Sequence, residues 1–319
     1  QVTVYDRYDR AGGLLTYGIP GFKLEKDVVL RRNEQLIAGG INLKLNCDIG
    51  RDVTFDELRT AHDAIIIATG VYKIRDLDIA GSTLDGVVQA LDFLTVSNQI
   101  NFGDKLPHFE NSALNARNKK VVVIGGGDTA MDCVRTAIRQ GATSVKCLYR
   151  RDRANMPGSQ REVQNAEEEG VIFEWLSAPE GFVNNASVTS ATPETTQNGA
   201  VKGVMAKKMH LGAPDVSGRR QPEMIEGSDY VEEADLVIKA LGFEPEDLPT
   251  LFDQPELPVT RWGTIKADFG TGKTDMPGVY AVGDIVRGAS LVVWAIKDGR
   301  DTAEAILKDL APAASFAAE

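Results

Sequence analysis

Two segments of the chain repeat one pattern of apolar and polar positions. Asp63–Gly70 and Asp235–Gly242 both run from an aspartate through mostly apolar residues to Ala-x-Gly, with Lys239 as the one polar exception. Such a run is typical of a short buried strand of a parallel sheet that ends in a glycine turn. A second repeat pairs Thr3–Arg7 with Cys147–Arg151, two strand-like runs that end in charged residues. The pattern predicts an α/β fold built from two copies of one Rossmann-like dinucleotide-binding unit.

One copy is complete in the sequence. An apolar strand is predicted over Lys119–Ile124, followed by Gly125-x-Gly127-x-x-Ala130, a helical pattern over Met131–Arg139 and a further strand over Val145–Tyr149. This is the strand, glycine turn, helix and strand order of a Rossmann unit. The glycines allow a tight turn and close approach of a pyrophosphate, and the helix N-terminus offers free N–H groups. A glycine triplet also occurs by chance in loops, but its position here favours a nucleotide site.

The residues after the second strand of this copy indicate which nucleotide binds. An acidic residue there would bind the ribose hydroxyls of NAD, whereas Arg150 and Arg151 are suited to a 2′-phosphate through planar, charge-assisted hydrogen bonds. The pair therefore favours NADP over NAD. The alternative is a solvated basic turn.

The other copy begins at what should be its second strand, Val2–Tyr5, so we expect its first strand, glycine loop and helix to precede residue 1 in a longer protein. Alternatively, this run is an edge strand of a different fold. Asp6 ends the strand and suits an adenosine ribose without a 2′-phosphate, as in FAD. Glycine turns at 12–13 and 18 could let backbone pass close to a flavin.

A further flavin signal lies near the C-terminus. Thr274–Asp284 is predicted to be a strand ending in Gly283-Asp284, where the acidic side chain can accept a hydrogen bond from a ribityl hydroxyl. Ser290–Leu307 is predicted to be a helix whose N-terminal amides could face the pyrimidine edge of the flavin.

Composition excludes several functional classes. The 319 residues carry a net charge of −11, which argues against a nucleic-acid surface. No apolar run approaches the roughly 20 residues of a membrane helix. Three widely spaced cysteines, without a C-x-x-C pair, argue against disulfides and a metal site and favour a reducing cytoplasm. The run Glu167–Glu169 is expected to be a solvated helix end.

Several motifs together resemble one family. Gly125–Asp132, Tyr149–Arg151 and Met156–Ser159 are similar to the small subunits of NADPH-dependent glutamate synthases, as are Gly12–Pro20 and Gly288–Ile296. The resemblance implies a fold like adrenodoxin reductase, with an NADPH domain inserted into a split FAD domain. We place the first FAD part at residues 1–105, the NADPH domain at 106–248 and the second FAD part at 249–319. Polar, irregular Asn98–Arg117 is expected to form the first crossing.

The resemblance also implies cofactor contacts and no catalytic side chain. The residues expected to contact FAD are Asp6, Gly13, Leu14, Ile49, Thr69, Gly283, Asp284 and Leu291. Those expected to contact NADPH are Gly126, Gly127, Asp128, Thr129, Arg150, Arg151 and Glu162. In this family, a hydride passes from NADPH to FAD, and electrons continue through iron–sulfur clusters held by an N-terminal extension to a large subunit. There, glutamate forms from 2-oxoglutarate and glutamine-derived ammonia.

The sequence departs from the family pattern in two ways. The cysteines of the clusters and the first glycine loop are absent from residues 1–319, which bears on FAD retention and on onward electron transfer. Two alternative hypotheses stay open at this point. One is a related NADPH-dependent reductase that passes electrons to ferredoxin or to a pyrimidine-reducing partner. The other is a fragment that binds nucleotide without turnover.

Overall fold

The structure, a computed structural model, describes residues 1–185, 190–192, 198–214 and 220–311. The chain divides into two compact units. The split unit comprises residues 1–11, 36–75 and the described chain from 243 onward, and the inserted unit comprises the described parts of 12–35 and 76–242. The domain boundaries expected at 105/106 and 248/249 stay predictions.

The regular elements of the described chain are short in the split unit and longer in the inserted unit. The strands are β1 (Thr3–Tyr5), β2 (Asn42–Lys44), β3 (Ile65–Ile67), β4 (Lys73–Ile74), β5 (Val87–Gln89), β6 (Lys120–Ile124), β7 (Ser144–Tyr149), β8 (Ile172–Trp175), β9 (Ser177–Val183), β10 (Gly203–Pro214), β11 (Arg220–Glu233), β12 (Leu236–Lys239), β13 (Phe243–Glu244) and β14 (Val279–Ala281). The α-helices are α1 (Leu14–Tyr17), α2 (Lys26–Ala38), α3 (Phe55–Ala61), α4 (Ala90–Asn101), α5 (Asp128–Gln140), α6 (Gln160–Glu168), α7 (Leu248–Leu251), α8 (Asp284–Arg287) and α9 (Val292–Leu310).

The inserted unit is built on a parallel sheet with the strand order β5-β12-β6-β7-β8. Its strands are apolar because helices and a second sheet cover it; Val121–Ile124 and Leu236–Lys239 are buried throughout. The three-stranded antiparallel sheet β11-β10-β9 belongs to the same unit. The predicted strand, glycine turn, helix and strand order is therefore confirmed, with β6 and β7 in parallel register from Lys120↔Ser144 to Ile124↔Leu148.

Helix α5 packs one apolar face onto this sheet. Met131, Cys133, Val134 and Ala137 are fully buried, which fits a helical repeat of apolar positions. The helix ends at Gly141, whose left-handed φ of 92° closes the last turn. Cys133 is a free cysteine in this core.

The split unit contains two parallel strand pairs, β1 with β2 and β3 with β14. Parallel pairing of Asp63–Gly70 with a C-terminal strand confirms the first of the two repeated strands. Phe55 and Phe252 stack at 5.2 Å in its core, and a capping box between Thr54 and Glu57 begins α3. A short antiparallel pair, β4 with β13, lies where the chain leaves and re-enters this unit.

One sequence expectation about the crossing was wrong in part. Asn98–Asn101 form the last turn of α4 and are not irregular. Asn98 is 1% exposed, and its side-chain amide donates to the carbonyl of Tyr17 at 2.9 Å. A polar residue that is buried and hydrogen-bonded looks like a loop residue in sequence, which explains the error.

Parts of two further segments lie outside the described residues. Asn184–Gly199, rich in Asn, Ser and Thr, reads as an exposed loop or hairpin, and Ala311–Glu319 is expected to fray, but residues 186–189, 193–197 and 312–319 are not described. Within the described ranges, the structure contains no helix long and apolar enough to cross a bilayer.

Candidate dinucleotide-binding sites

The three glycines of the loop in the inserted unit have different surroundings. A Cβ on Gly125, whose φ is +144°, would lie 2.2 Å from the carbonyl oxygen of Ala240. One on Gly126 would lie 2.3 Å from the ring of Tyr149. Gly127 has no atom within 4 Å of such a position, so its outer side is open. Two glycines thus permit packing within the protein, while the third leaves space beside the backbone for a ligand.

The first turn of α5 follows this loop directly. Its N-cap is Gly127, and no side chain caps the helix, so amide groups of the first turn remain for a ligand. A second loop supports the first: the Gly158 amide donates to the Gly126 carbonyl at 2.9 Å, and the Ser159 amide donates to the Asp128 carboxylate at 3.1 Å. Thr129 is half-buried in the same turn. The geometry suits a pyrophosphate.

The two arginines after β7 have different environments. Arg150 is exposed to solvent. Arg151 is 8% exposed, and its Nε and Nη2 atoms are buried without a hydrogen-bond partner in the described structure. An unpartnered buried guanidinium is costly, because it has lost its hydration without gaining an acceptor. Strands β6 and β7 are parallel neighbours, so Arg151 and the glycine loop follow the same edge of the sheet. This edge therefore has anion-binding capacity that the protein itself does not use.

Glu162, expected to contact NADPH, belongs to a network of charged side chains. Arg135 Nη1 donates to it at 2.8 Å, and Lys23 Nζ lies 3.5 Å from it. Burial alone would raise the pKa of Glu162, but Lys23 and Arg135 hold it below its usual value. Glu162 is thus ionised and already paired, so a direct contact with nucleotide stays a prediction.

The expectation that Glu167–Glu169 is merely a solvated helix end was wrong for its last member. Glu169 accepts hydrogen bonds from Arg135 and Arg139 at 2.8 Å, and both guanidiniums stack over Phe22. The three residues do mark the end of α6, as expected. Their spacing could not reveal the arginines, which lie on another helix.

In the split unit, the side chains expected to hold FAD follow the ends of its parallel strands. Asp6 comes directly after β1, and its carboxylate accepts from the Tyr8 amide at 3.0 Å. Burial raises the pKa of Asp6, opposed by this hydrogen bond and by Arg7. Thr69 follows β3, and its hydroxyl oxygen is buried without a hydrogen-bond partner among the described residues. An orphaned buried hydroxyl fits a polar ligand group.

The segment after β14 has the predicted turn. Gly283 has a φ of +72°, which favours glycine, and Asp284 begins the short helix α8. Burial raises the pKa of Asp284, opposed by a backbone hydrogen bond from Ser290. Leu291 is the N-cap of α9 and is 64% exposed, whereas Ile49 is half-buried and packs against the core of the split unit. No side chain caps α9, which leaves its first amides unused by the protein.

Gly13 and Leu14, also expected to contact FAD, lie in the inserted unit at the start of α1. Gly13 has a φ of +51°, and its carbonyl accepts from the amides of Thr16 and Tyr17. The predicted glycine turn is therefore present.

Sequence reasoning missed two ion pairs that shape these sites. Lys23 Nζ lies 2.8 Å from the Asp132 carboxylate. Arg287 forms a bidentate pair with Asp298, whose carboxylate also accepts from the Gly283 amide. Arg287 ends α8 and Asp298 lies on α9, so no helical spacing relates them in the sequence. The 109 residues between Lys23 and Asp132 offered no signal either.

Known proteins resemble the chain along almost its whole length. A family model described as "Pyridine nucleotide-disulphide oxidoreductase" matches residues 22–299. A protein of Cereibacter sphaeroides named "Putative glutamate synthase [NADPH] small chain" is 68% identical over 319 residues, which are 100% of this chain and 73% of that protein. The "Glutamate synthase [NADPH] small chain" of Azospirillum brasilense is 62% identical over 96% of this chain and 61% of its own length. The chain therefore spans roughly three-fifths to three-quarters of these relatives.

The fold has close counterparts among solved structures. FprA from Mycobacterium tuberculosis superposes with a TM-score of 0.75 at 20% identity, covering 97% of this chain and 78% of that one. At this identity the likeness concerns the fold. It confirms the α/β class with Rossmann-like units that the repeated strands predicted.

Proposed function

This chain belongs to the pyridine nucleotide-disulphide oxidoreductases and, among them, to the small chains of NADPH-dependent glutamate synthase, and from this premise we propose that it transfers a hydride from NADPH to FAD. The observation that carries the NADPH assignment is the buried guanidinium of Arg151, with two donors unpaired. Arg151 follows β7, and the glycine loop follows the neighbouring parallel strand β6. The loop is open to a ligand at Gly127. The 2′-phosphate of NADPH would accept hydrogen bonds from the unpaired nitrogens of Arg151, and the ribose of NADH carries no such phosphate.

The residues of the NADPH site divide the work between binding and orientation. The backbone of Gly126 and Gly127 and the free amides of Asp128 and Thr129 bind the pyrophosphate at the positive end of α5. Arg151, with Arg150 beside it at the surface, selects the phosphorylated ribose. Tyr149 packs against Gly126 and keeps the loop backbone in place.

The residues of the split unit fit a flavin nucleotide. Asp6 accepts from the hydroxyls of an unphosphorylated ribose, and Asp284 accepts from a hydroxyl of the ribityl chain. The orphaned Thr69 hydroxyl offers one more polar contact. Gly283 keeps the backbone close to the cofactor, and Leu291 presents the uncapped start of α9 to it. Ile49 contributes apolar surface. The contacts expected of Gly13 and Leu14, which belong to the inserted unit, stay predictions.

When both nucleotides are bound, they supply the redox chemistry themselves: NADPH gives up a hydride and FAD accepts it. The side chains of this protein bind, orient and exclude water, and none acts as general acid or base. Arg151 and the α5 amides fix the nicotinamide nucleotide, so that most of the catalytic effect is orientation.

We further propose that the electrons pass to a glutamate synthase large subunit, as the names of the relatives suggest, and that the protein works in the cytoplasm. Iron–sulfur clusters would have to be held elsewhere than in the described residues, which include no group of three or more potential ligands that could hold a metal ion. Cys133 and Cys147 are buried in the core, where burial raises the pKa of both thiols. No electron step is therefore assigned to residues of this chain.

Rapid mixing of the FAD-loaded protein with NADPH or NADH, without oxygen, tests the proposal. NADPH should bleach the visible flavin absorbance, and NADH at the same concentration should bleach it at least about tenfold more slowly, the loss of one charged hydrogen bond. Equal or faster bleaching by NADH would refute the NADPH assignment. A protein that binds NADPH but no FAD would refute the hydride transfer.

A further inference from the structure

The segment that carries Gly13 and Leu14 belongs to the inserted unit. Residues 12–35 belong to the inserted unit, together with the glycine loop and α5. Gly13 and Leu14 are the proposed FAD contacts of that unit. One compact unit therefore contains both the glycine loop and the expected FAD contacts Gly13 and Leu14.

Buried polar groups fix the backbone of this segment. Lys26 is 9% exposed, and its ammonium donates to the carbonyls of Leu15, at 2.9 Å, and Ile19. From the other side, Asn98 on α4 donates to the Tyr17 carbonyl at 2.9 Å. These carbonyls accept from side chains and not from the backbone of a helix or strand. The hydrogen bonds therefore hold the backbone of residues 13–19 in place.

An ion pair joins this segment to α5, beside the stacking of Arg135 and Arg139 over Phe22. Lys23 Nζ lies 2.8 Å from the Asp132 carboxylate and 3.5 Å from Glu162. Asp132 lies one turn after Asp128, the first residue of α5. The pair therefore contacts α5 one turn after its start, whereas the Phe22 contacts lie at Arg135 and Arg139, further along the helix.

The surroundings of the pair make it a rigid link. The Asp132 side chain is 10% exposed and that of Lys23 is 24% exposed. Burial raises the pKa of Asp132 to about 6 despite the hydrogen bond from Lys23. Burial opposes the charge on Lys23, but its hydrogen bond to Asp132 and the neighbouring carboxylates raise the pKa of Lys23 above its usual value. Near neutral pH both groups are charged, and removing one leaves a buried charge without its partner.

We propose that Lys23 and Asp132 are positioning residues for hydride transfer. Their ion pair sets the place of the Gly13–Ile19 backbone, with the expected FAD contacts Gly13 and Leu14, relative to the nucleotide-binding turn of α5 in the same unit. The inference rests on the proposed function and adds to it a residue pair that touches neither cofactor. Lys26 and Asn98 hold the segment through its backbone carbonyls, and the ion pair is its contact nearest the start of α5.

Rapid-mixing measurements on Lys23→Met, Asp132→Asn and the conservative Lys23→Arg test the proposal. The rate of flavin bleaching at saturating NADPH is separated from the NADPH dissociation constant by varying nucleotide concentration. The matched control is Lys208→Met. Lys208 lies in the same unit and pairs with Glu174 at 3.1 Å, and it is distant in sequence from the glycine loop and from residues 13–19. Thermal unfolding of each variant reports stability independently.

The expected result is a saturating rate that falls on the order of 10- to 100-fold in Lys23→Met and Asp132→Asn, since small misplacements of reacting groups have effects of this size. The NADPH dissociation constant should change by less than about threefold, because the ligand contacts remain. Lys23→Arg should recover most of the rate, and Lys208→Met should leave it unchanged.

Two results would overturn the inference. One is an unchanged saturating rate in Lys23→Met and Asp132→Asn, whether or not their melting temperatures fall. The pair would then contribute to stability and not to hydride transfer. The other is an equal loss in Lys208→Met. If NADPH fails to bleach flavin in the unsubstituted protein, the proposed function itself fails, and that outcome is distinguishable because it requires no variant.

Discussion

Replacing Arg151 with methionine should stabilise the unliganded protein and weaken its binding of NADPH. The guanidinium is 8% exposed, and two of its nitrogens have no hydrogen-bond partner in the described structure. Methionine has a similar length and no polar hydrogen, so it can fill the same space without the desolvation penalty. The two effects have opposite signs because the structural cost of Arg151 is offset only when a ligand supplies an acceptor.

The magnitudes follow from the two unpaired donors. Each buried donor without a partner costs about 1–3 kcal/mol, so Arg151→Met should raise the free energy of unfolding by at least about 2 kcal/mol. A hydrogen bond between charged groups contributes about 1.5–3 kcal/mol, so the NADPH dissociation constant should rise by roughly 10- to 150-fold. The dissociation constant for NADH should change by less than about twofold, because its ribose bears no phosphate for the guanidinium.

Calorimetric titration with both nucleotides and urea unfolding of the unliganded protein measure these quantities. The matched control is Arg153→Met, two residues along the chain, because Arg153 is already paired with Glu167 at 2.8 Å. The control should leave the preference for NADPH intact. Equal weakening of NADPH and NADH in Arg151→Met, or a less stable unliganded protein, would refute the reasoning.

Three further predictions concern the glycine loop and two buried carboxylates. Gly127→Ala should leave the melting temperature unchanged, because no atom lies within 4 Å of its added Cβ, yet raise the NADPH dissociation constant at least about tenfold. Gly126→Ala should destabilise the protein by about 1–3 kcal/mol through the Tyr149 ring. The raised pKa of Asp132, about 6, means that between about pH 4 and 6 the folded state holds a proton that the unfolded state has released, so stability falls as pH rises through this range. Asp132→Asn should remove that fall, on the order of 3 kcal/mol between pH 4 and 7 in urea unfolding, and an unaltered pH profile would contradict it. Asp298→Asn should lower the free energy of unfolding at pH 7, because Arg287 loses its bidentate carboxylate partner, and an unchanged free energy of unfolding in the same assay would contradict a stabilising pair.

Local patterns were sufficient to predict the nucleotide-binding half of the fold. The run Lys119–Tyr149 contains its own strand, turn, helix and strand, and each signal depends on neighbours in sequence. Arg150 and Arg151 were found for the same reason, because their place at the end of a strand follows from β7. The repeat of Asp63–Gly70 in Asp235–Gly242 was likewise visible from a run of apolar residues that ends in glycine.

Contacts between distant segments were beyond such reasoning. Lys23 and Asp132 are 109 residues apart, and neither stands out in composition or spacing. The difference between an exposed Arg150 and a buried, unpaired Arg151 depends on tertiary packing, which an adjacent pair of identical residues cannot reveal. Asn98 was misread because its side-chain amide donates to a carbonyl 81 residues earlier in the chain, a contact that the local sequence cannot show.

The most direct test of the central claim is an anaerobic titration of the FAD-loaded protein with NADPH. The account predicts that the visible flavin absorbance disappears in proportion to added NADPH and is lost completely after one equivalent per flavin, with NADP⁺ formed in the same amount. NADPH that binds while the flavin remains oxidised, or flavin that bleaches without formation of NADP⁺, would contradict it.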